Sequence, residues 1–241
     1  MKSYKINCII LKRKNFMEAD RLVTVFTRDL GKLKLLAKGS RKPLSKMGGI
    51  LQTFNLVHLL VHRGRTFDII TGGNLIEAFK PKNLEDVSEI FTIAELIDKF
   101  IAEEDPHPEV YDLVKELYDF EPNEVLLNYF KFKLLDLVGL GPELGNCVNC
   151  SNKLEQDGNG FSPMQGVLCP KCLHLGFPVK NETIKFLRLT LNKDADFIFR
   201  LKMDDEAIEE IGKIINIILA EKTHVKLNSN KFVQEVKSLH S

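Results

Sequence analysis

Apolar and polar positions in the first 80 residues follow the short repeat that is typical of β-strands. A turn at residues 28–31 separates two such runs and predicts a hairpin. Gly72 and Gly73 interrupt the last run and indicate a bend or a bulge. Five short strands in so short a segment favour a small closed barrel over a sandwich, which needs about 100 residues. The predicted strands are YKINCIIL (4–11), RLVTVFT (21–27), KLKLLAKGS (32–40), FNLVHLLVHRG (54–64) and TFDIITGGNLIEAF (66–79).

The repeat changes to a helical one after Pro81. Asn83 is a suitable helix N-cap, and the apolar positions from Val87 to Ile101 recur at helical spacing. Residues 145–179, by contrast, are rich in Gly, Pro, Cys and Asn and have little helical period. The sequence therefore predicts an α+β chain, with a barrel domain at 1–80 and a helical domain at 81–241 that carries an insert at about 145–179. Further helices are predicted at 108–119, 122–138, 181–192 and 204–220.

Charge is divided unevenly between these two predicted domains. Residues 1–80 contain 16 Lys and Arg against five Asp and Glu, whereas residues 81–241 contain 18 against 28. The formal net charges are therefore +11 and −10, although the whole chain has a net charge of only +1. A basic domain of this kind favours a polyanionic partner, most often a nucleic acid. The alternative is a basic domain whose charge serves solubility, or one that docks on the acidic remainder of the chain.

The basic residues of the first domain lie on a few strand and loop positions. Strand alternation places Lys32, Lys34 and Lys38 toward one face of the hairpin, opposite apolar residues. Contacts with several phosphates predict a nucleic-acid affinity that falls steeply with salt. Such contacts carry no sequence information, so we expect little sequence specificity. Aromatic residues for base stacking are few, and the chain has no tryptophan. The predicted nucleic-acid-binding residues are Lys12, Arg13, Lys14, Lys32, Lys34, Lys38, Arg41, Lys42, Lys46, Arg63 and Arg65.

Two Cys-x2-Cys motifs predict a metal site. Cys147 and Cys150 are followed, after 18 residues, by Cys169 and Cys172. This spacing matches the four-cysteine zinc template. Four thiolates satisfy tetrahedral Zn²⁺ and leave no position for water, so the predicted site is structural rather than catalytic. An iron–sulfur cluster and a pair of reducible disulfides are the alternatives. Cys8 lies in a strand pattern and is predicted to be an inert core residue.

The sequence disfavours an enzyme. The five acidic residues of the basic segment are dispersed, whereas a two-metal nuclease or polymerase needs a convergent cluster. The run LAKGSRKP (36–43) lacks the spacing of a phosphate-binding loop, and neither G-x-S-x-G nor H-E-x-x-H occurs. No run of about 18 apolar residues is present, and the N-terminus has no secretion signal with a cleavage site. A cytoplasmic location is expected.

Several segments, in their order along the chain, resemble the bacterial recombination mediator family RecO. The run EADRLVTVFTRDLGKLKLLAKGSRK (18–42) resembles the N-terminal segment of that family, and LQTFNLVHLLVHRGR (51–65) follows at the expected place. The run LLDLVGLGPELGNCVNC (134–150) then leads into the first cysteine pair. A weaker resemblance, at HVKLNSNKFVQEV (224–236), extends the match over nearly the whole chain.

The resemblance implies a function as well as a fold. The N-terminal domain would be an OB-fold barrel that binds single- and double-stranded DNA and anneals complementary strands. The protein would act with RecR to assist RecA loading onto DNA coated by single-strand DNA-binding protein, whose acidic, apolar C-terminal tail would dock on the helical domain. It would be a non-enzymatic repair factor with one structural Zn²⁺ per chain, associated with the nucleoid during repair. The alternative is an RNA- or ribosome-associated adaptor that contains zinc.

Overall fold

The N-terminal strands close into a barrel. In the computed structural model, which describes residues 3–121 and 123–223, five strands are hydrogen-bonded in the order β1-β2-β3-β5-β4, and β4 pairs back with β1. Neighbouring strands are antiparallel except β3 and β5, which are parallel. The predicted α+β class and the closed barrel are confirmed. The elements are β1 (Ser3–Phe16), β2 (Asp20–Thr27), β3 (Gly31–Ala37), the short helix α1 (Met47–Ile50), β4 (Leu56–His62) and β5 (Asp68–Glu77).

The barrel interior is filled by alternate residues of each strand. Ile10 faces Val25 across the β1–β2 pair, and both belong to the same buried cluster. A bulge between Ile10 and Lys12 inserts one residue into β1, so Ile9, Ile10 and Leu11 are all buried. The bulge explains why the polar alternation of this strand is loose. Cys8 is fully enclosed in the same core, and burial raises the pKa of its thiol.

Gly31 joins the hairpin formed by β2 and β3. Its φ of +67° lies in the left-handed region that favours glycine. A Cβ atom at this position would also lie 2.3 Å from the backbone oxygen of Asp105. The hydroxyl of Thr27 accepts from the N–H of Leu30 and donates to the carbonyl of Gly31, which fixes the turn.

Two helices pack on the barrel wall. Helix α2 (Leu84–Phe100) begins at Asn83, whose side chain accepts from the N–H of Asp86 as the sequence predicts. Helix α3 (Pro108–Glu116) continues into a 3-10 turn at Leu117–Asp119. The Tyr118 ring stacks on Phe54 at 5.5 Å between ring centres, and its hydroxyl donates to the Phe54 carbonyl at 2.7 Å. The first compact unit therefore contains the barrel and both helices up to Asp119, and the division into domains at residue 80 stays a prediction.

The second compact unit is mainly helical. Its apolar core includes Phe130, Leu187 and Ile215, one from each of three helices. The side chain of Asn123 caps the first of these helices by accepting from the N–H of Leu126. Among the described residues, no helix is long and apolar enough to cross a membrane. The helices are α4 (Glu124–Leu137), α5 (Asn181–Asn192), the unpredicted short α6 (Ala195–Phe199) and α7 (Asp205–Thr223).

The cysteine-bearing segment of this unit forms a small sheet of its own. Strands β6 (Gly160–Ser162), β7 (Gly166–Leu168) and β8 (Phe177–Pro178) are ordered β7-β6-β8. A 3-10 helix at Pro170–Leu175 lies between β7 and β8. The C-terminal run 224–236, which resembles the C-terminal segment of the RecO family, lies outside the described residues.

Candidate metal centre and nucleic-acid interface

The four cysteine sulfurs of the second unit converge on one point. The Sγ atoms of Cys147, Cys150, Cys169 and Cys172 all lie within 4.8 Å of one another. The sulfurs of Cys150 and Cys169 are 3.6 Å apart. Tetrahedral zinc with Zn–S bonds of ~2.3 Å requires sulfur separations of about 3.8 Å, whereas a disulfide requires about 2.05 Å. The arrangement therefore fits a metal ion and does not fit a pair of disulfides.

Each cysteine pair is held by a tight backbone turn. The carbonyl of Cys147 accepts from the N–H of Ser151 at 2.8 Å, and the carbonyl of Cys169 accepts from the N–H of Cys172 at 2.9 Å. The N–H of Val148 donates to the carbonyl of Val167 in β7, so the strand that leads to the second pair is bonded to the first pair. Local turns thus set the direction of each sulfur, and the sheet brings the two pairs together.

Backbone groups already favour an ionised sulfur at one position. Burial opposes ionisation of Cys147, but N–H groups of Cys169, Cys150 and Asn149 donate to its sulfur and lower the pKa of the thiol to about 6. At Cys150 the N–H of Asn152 acts in the same direction, yet burial and the neighbouring thiols outweigh it and raise the pKa to about 11. A cation among the four sulfurs would stabilise all of them as thiolates.

Three of the predicted nucleic-acid-binding lysines are neutralised on the outer wall of the barrel. Lys32 is only 6% exposed, and its ammonium group donates to the backbone carbonyl of Asp98 and, at 3.1 Å, to its carboxylate. Lys12 reaches the same carboxylate at 3.4 Å, and Lys34 pairs with Glu103. Helix α2 and the segment after it thus enclose Lys32, which is not placed to contact a phosphate. Lys12 and Lys34 stay largely exposed beside their carboxylates, and contact of these three lysines with nucleic acid stays a prediction.

Five other predicted residues lie together at one end of the barrel, and none of them has an ion pair within the described residues. We call this group the basic end; it consists of Lys14, Lys38, Arg41, Lys42 and Lys46, all of which are exposed. The guanidinium group of Arg41 donates to the carbonyls of Met17 and Glu18, at 3.3 and 3.0 Å. The N–H of Gly39 donates to the carboxylate of Asp20 at 2.7 Å. These bonds hold the loop at 38–46 against the β1–β2 turn.

The remaining three predicted residues occupy different environments. Arg13 is half-buried, and desolvation together with the charge of Arg21 lowers the pKa of its guanidinium group. Arg63 and Arg65 are exposed in the β4–β5 turn, where the Arg63 guanidinium lies 6.0 Å from the Tyr4 ring centre. In the same turn, the Phe67 ring packs edge-on against Phe16 at the end of β1, 6.1 Å between ring centres. That contact brings the turn close to the basic end.

Comparison with protein families accounts for nearly all of the chain. Residues 1–79 match the family model described as "Recombination protein O N terminal", and residues 82–231 match "Recombination protein O C terminal". The chain belongs to the RecO family. The boundary between the two RecO models falls where the structure changes from the last barrel strand to helix α2.

Curated relatives carry the same family name. A protein named DNA repair protein RecO from Dehalococcoides mccartyi strain 195 is 33% identical over 217 residues, which is 86% of each chain. Its namesake from Desulforamulus reducens is 29% identical over 245 residues, covering 98% of this chain and 96% of the relative. The one from Bacillus subtilis is 25% identical over 246 residues, covering 98% and 95%. The chain is therefore similar to RecO proteins over almost its full length, and the RecO resemblance read from the sequence is confirmed.

Sequence reasoning missed two features of this RecO barrel. Asp98 and Glu103 were read only as part of an acidic helical domain, and no local signal indicated that they neutralise barrel lysines. Met17 and Leu44 are exposed apolar residues on the two turns of the basic end, with 76% and 97% of their surface accessible. Leu44 could have been noticed, because an isolated leucine in a run of polar loop residues has no strand or helix face to occupy.

Proposed function

We propose that this RecO family protein is a non-enzymatic DNA repair and recombination mediator that binds single- and double-stranded DNA. The observation that carries the proposal is the basic end, a group of exposed cations without acidic partners among the described residues. Elsewhere on the barrel, Lys12, Lys32 and Lys34 are paired with carboxylates. Uncompensated cations on neighbouring turns are suited to phosphates spaced along a DNA backbone.

The basic end also supports a mechanism for annealing complementary strands. Two single strands repel each other because both carry a phosphate charge at every nucleotide. Cations that neutralise part of this charge lower the repulsion, and holding both strands on one protein raises their effective concentration. Pairing of the bases then follows without a chemical step by the protein. In the cell, we propose, the protein acts on the nucleoid together with RecR and assists RecA loading onto DNA coated by single-strand DNA-binding protein.

The helical unit and the cysteine segment have supporting roles in this proposal. The four cysteines hold a single Zn²⁺ that keeps the segment around β6, β7 and β8 folded. The helical unit receives protein partners, among them the acidic C-terminal tail of single-strand DNA-binding protein. Residues 1–80 act as the nucleic-acid-binding domain, and residues 81–241 as the partner-binding domain.

The proposal is tested by reversing charge at the basic end. The triple variant Lys38→Glu, Lys42→Glu and Lys46→Glu leaves Arg41 and its turn contacts in place. Each lost phosphate contact should reduce the slope of log affinity against log salt by about 0.7 for single-stranded DNA. We expect the variant to lose most of its DNA affinity, and to lose annealing of DNA coated by single-strand DNA-binding protein both with and without RecR.

A matched control carries the same change in net charge on the second unit. Lys153→Glu, Lys185→Glu and Lys202→Glu replace three exposed lysines there, and DNA binding and annealing should stay close to those of the unchanged protein. Equal loss in both triple variants would mean that only net charge matters, and the basic end would not be the interface. Stronger binding to RNA of matched length, without annealing of DNA, would favour an RNA-associated adaptor instead.

A further inference from the structure

Leu44 stands at the tip of an ordered loop and buries almost nothing. Its side chain is 97% exposed, the highest exposure among the large apolar residues described. The N–H of Ser45 donates to the carbonyl of Lys42 at 2.9 Å, which closes a turn with Pro43 and Leu44 at its centre. Small polar residues are usual after the proline of such a turn. A leucine here adds nothing to the core and exposes apolar surface to water.

The loop holds Leu44 in a defined place on the barrel. The N–H of Arg41 donates to the carbonyl of Ala19 at 2.9 Å on one side of the tip. On the other side, the side-chain amide of Asn55 donates to the carbonyls of Gly49 and Ile50, at 3.2 and 3.0 Å. Both ends of the loop are therefore anchored, so the exposed leucine is presented by fixed backbone.

A second exposed apolar residue lies on the adjoining turn. Met17 is 76% exposed, and its carbonyl accepts from the guanidinium group of Arg41. Its φ of +50° is unusual for a residue with a side chain, and the β1–β2 turn therefore presents Met17 in a conformation that costs free energy. The basic end thus carries two apolar tips on neighbouring turns.

The charges around Leu44 indicate what it contacts. Lys42 and Lys46 lie two residues before and after it, both exposed, and Arg41 precedes them. DNA supplies phosphates beside the apolar faces of its bases, so cations on both sides of an apolar tip match the chemistry of a nucleic-acid strand. Proteins that bend or open DNA often insert an apolar side chain between bases while neighbouring cations hold the backbone.

We propose that Leu44, assisted by Met17, inserts against the faces of unpaired DNA bases whose phosphates lie on Lys42 and Lys46. Phe16, beside the β1–β2 turn, already packs against Phe67, whereas Leu44 and Met17 present exposed apolar side chains to a bound base. Leu44 would keep bases of a bound single strand apart and exposed for pairing with a second strand. The inference rests on the proposed DNA binding and adds a mode of base contact to it.

The test uses the full-length protein and single-stranded DNA that contains 2-aminopurine, whose fluorescence increases when the base loses its stacking neighbours. Leu44→Ser should weaken binding about five- to tenfold, a factor at the low end of what a base-stacking side chain contributes. It should also remove most of the fluorescence increase that the unchanged protein produces. The slope of log affinity against log salt should not change, because the phosphate contacts remain. Leu44→Phe should bind at least as tightly as the unchanged protein, since an aromatic ring stacks better on a base.

Leu30→Ser is the matched control. Leu30 is a 44% exposed leucine in the β2–β3 turn, outside the basic end, and its replacement should leave affinity and fluorescence unchanged. The inference is overturned if Leu44→Ser gives the same fluorescence increase as the unchanged protein, or if Leu44→Phe binds more weakly than it. In either case the basic end still binds DNA through phosphates alone. Absence of DNA binding by the unchanged protein would instead contradict the proposed function.

Discussion

Lysine residues with the same strand alternation have different environments in this barrel. The sequence could predict that Lys32 and Lys34 point away from the core, because successive side chains of a strand alternate between its two faces. It could not predict that the Asp98 carboxylate lies 3.1 Å from the ammonium group of Lys32, since 66 residues separate the two along the chain. Their contact depends on how helix α2 packs on the barrel, which no local pattern encodes. Lys38 and Lys42 have no ion pair among the described residues and are exposed.

Substitution of Lys32 should affect the stability of the protein and not its affinity for DNA. Lys32→Ala removes a nearly enclosed cation and leaves the Asp98 carboxylate, 25% exposed, without its main partner. We expect the free energy of unfolding to fall by about 2 kcal/mol, as found for buried hydrogen bonds to charged groups. DNA affinity of the folded protein should not change. Urea denaturation and DNA titration of the same preparation check both expectations.

Lys12→Ala is the natural comparison for Lys32→Ala. Lys12 pairs with the same carboxylate, but 49% of its side chain is exposed, so water screens the pair. Its loss should cost less than about 0.5 kcal/mol. A Lys32→Ala variant that stays as stable as the unchanged protein but binds DNA much more weakly would show that Lys32 does contact DNA.

At the scale of elements, the helices and strands that have local sequence signals were predicted well. Asn83 caps helix α2 as the sequence predicts, accepting from the N–H of Asp86. The cap of helix α4 at Asn123 was not predicted, because the sequence indicated a helix that begins at residue 122. The hairpin of β2 and β3 was predicted from alternation and from the turn at residues 28–31. Short helices α1 and α6 were not predicted, because four or five residues are too few to show a helical period. The bulge in β1 was not predicted either, since a strand with an inserted residue reads only as loose alternation.

The proposed Zn²⁺ would contribute much of the stability of the cysteine segment. Its three strands have two or three residues each, and such short strands are not stable alone. Structural zinc sites contribute about 10 kcal/mol or more to the folding of small domains. We expect one Zn²⁺ per chain by elemental analysis, and loss of amide-exchange protection across residues 147–179 after chelation or in Cys169→Ser. The barrel amides should keep their protection.

Cys8→Ala is the control for Cys169→Ser, because it removes a cysteine that lies outside the predicted metal site. Cys8 is enclosed in the barrel core, far along the chain from the four clustered sulfurs, so its removal should leave the zinc content at one per chain. Purified protein without stoichiometric zinc would contradict the site, as would unchanged exchange protection after chelation. Iron and inorganic sulfide in the same elemental analysis would assign an iron–sulfur cluster instead.

At the scale of the molecule, ion pairs within the first unit decide which of the barrel's basic side chains keep an uncompensated charge. The sequence predicted a basic domain of +11 beside an acidic one of −10. In the structure, however, Asp98, Glu103 and Asp112 from the acidic part of the chain pair with barrel cations, Asp112 with Arg28 at 2.9 Å. These pairs neutralise part of the outer wall, whereas the basic end has no ion pair within the part of the chain that the structure describes. The composition predicted the sign of the charge, and only the packing of α2 and α3 decides where that charge stays available.

Removal of one acidic partner from the outer wall should change how fast the protein associates with DNA. Glu103→Gln removes the carboxylate that pairs with Lys34, and both side chains are about half exposed, so stability should change little. The added positive potential should raise the rate of association with DNA at low salt by less than tenfold. The gain should fade near 0.15 M salt, where the screening length is about 8 Å. Stopped-flow binding over a salt series measures the effect, with Glu155→Gln on the second unit as the control for net charge.

If Glu103→Gln instead steepens the dependence of log affinity on log salt by one phosphate contact, then the freed Lys34 touches DNA. The interface would in that case extend from the basic end onto the outer wall, because only a direct contact releases a further counterion.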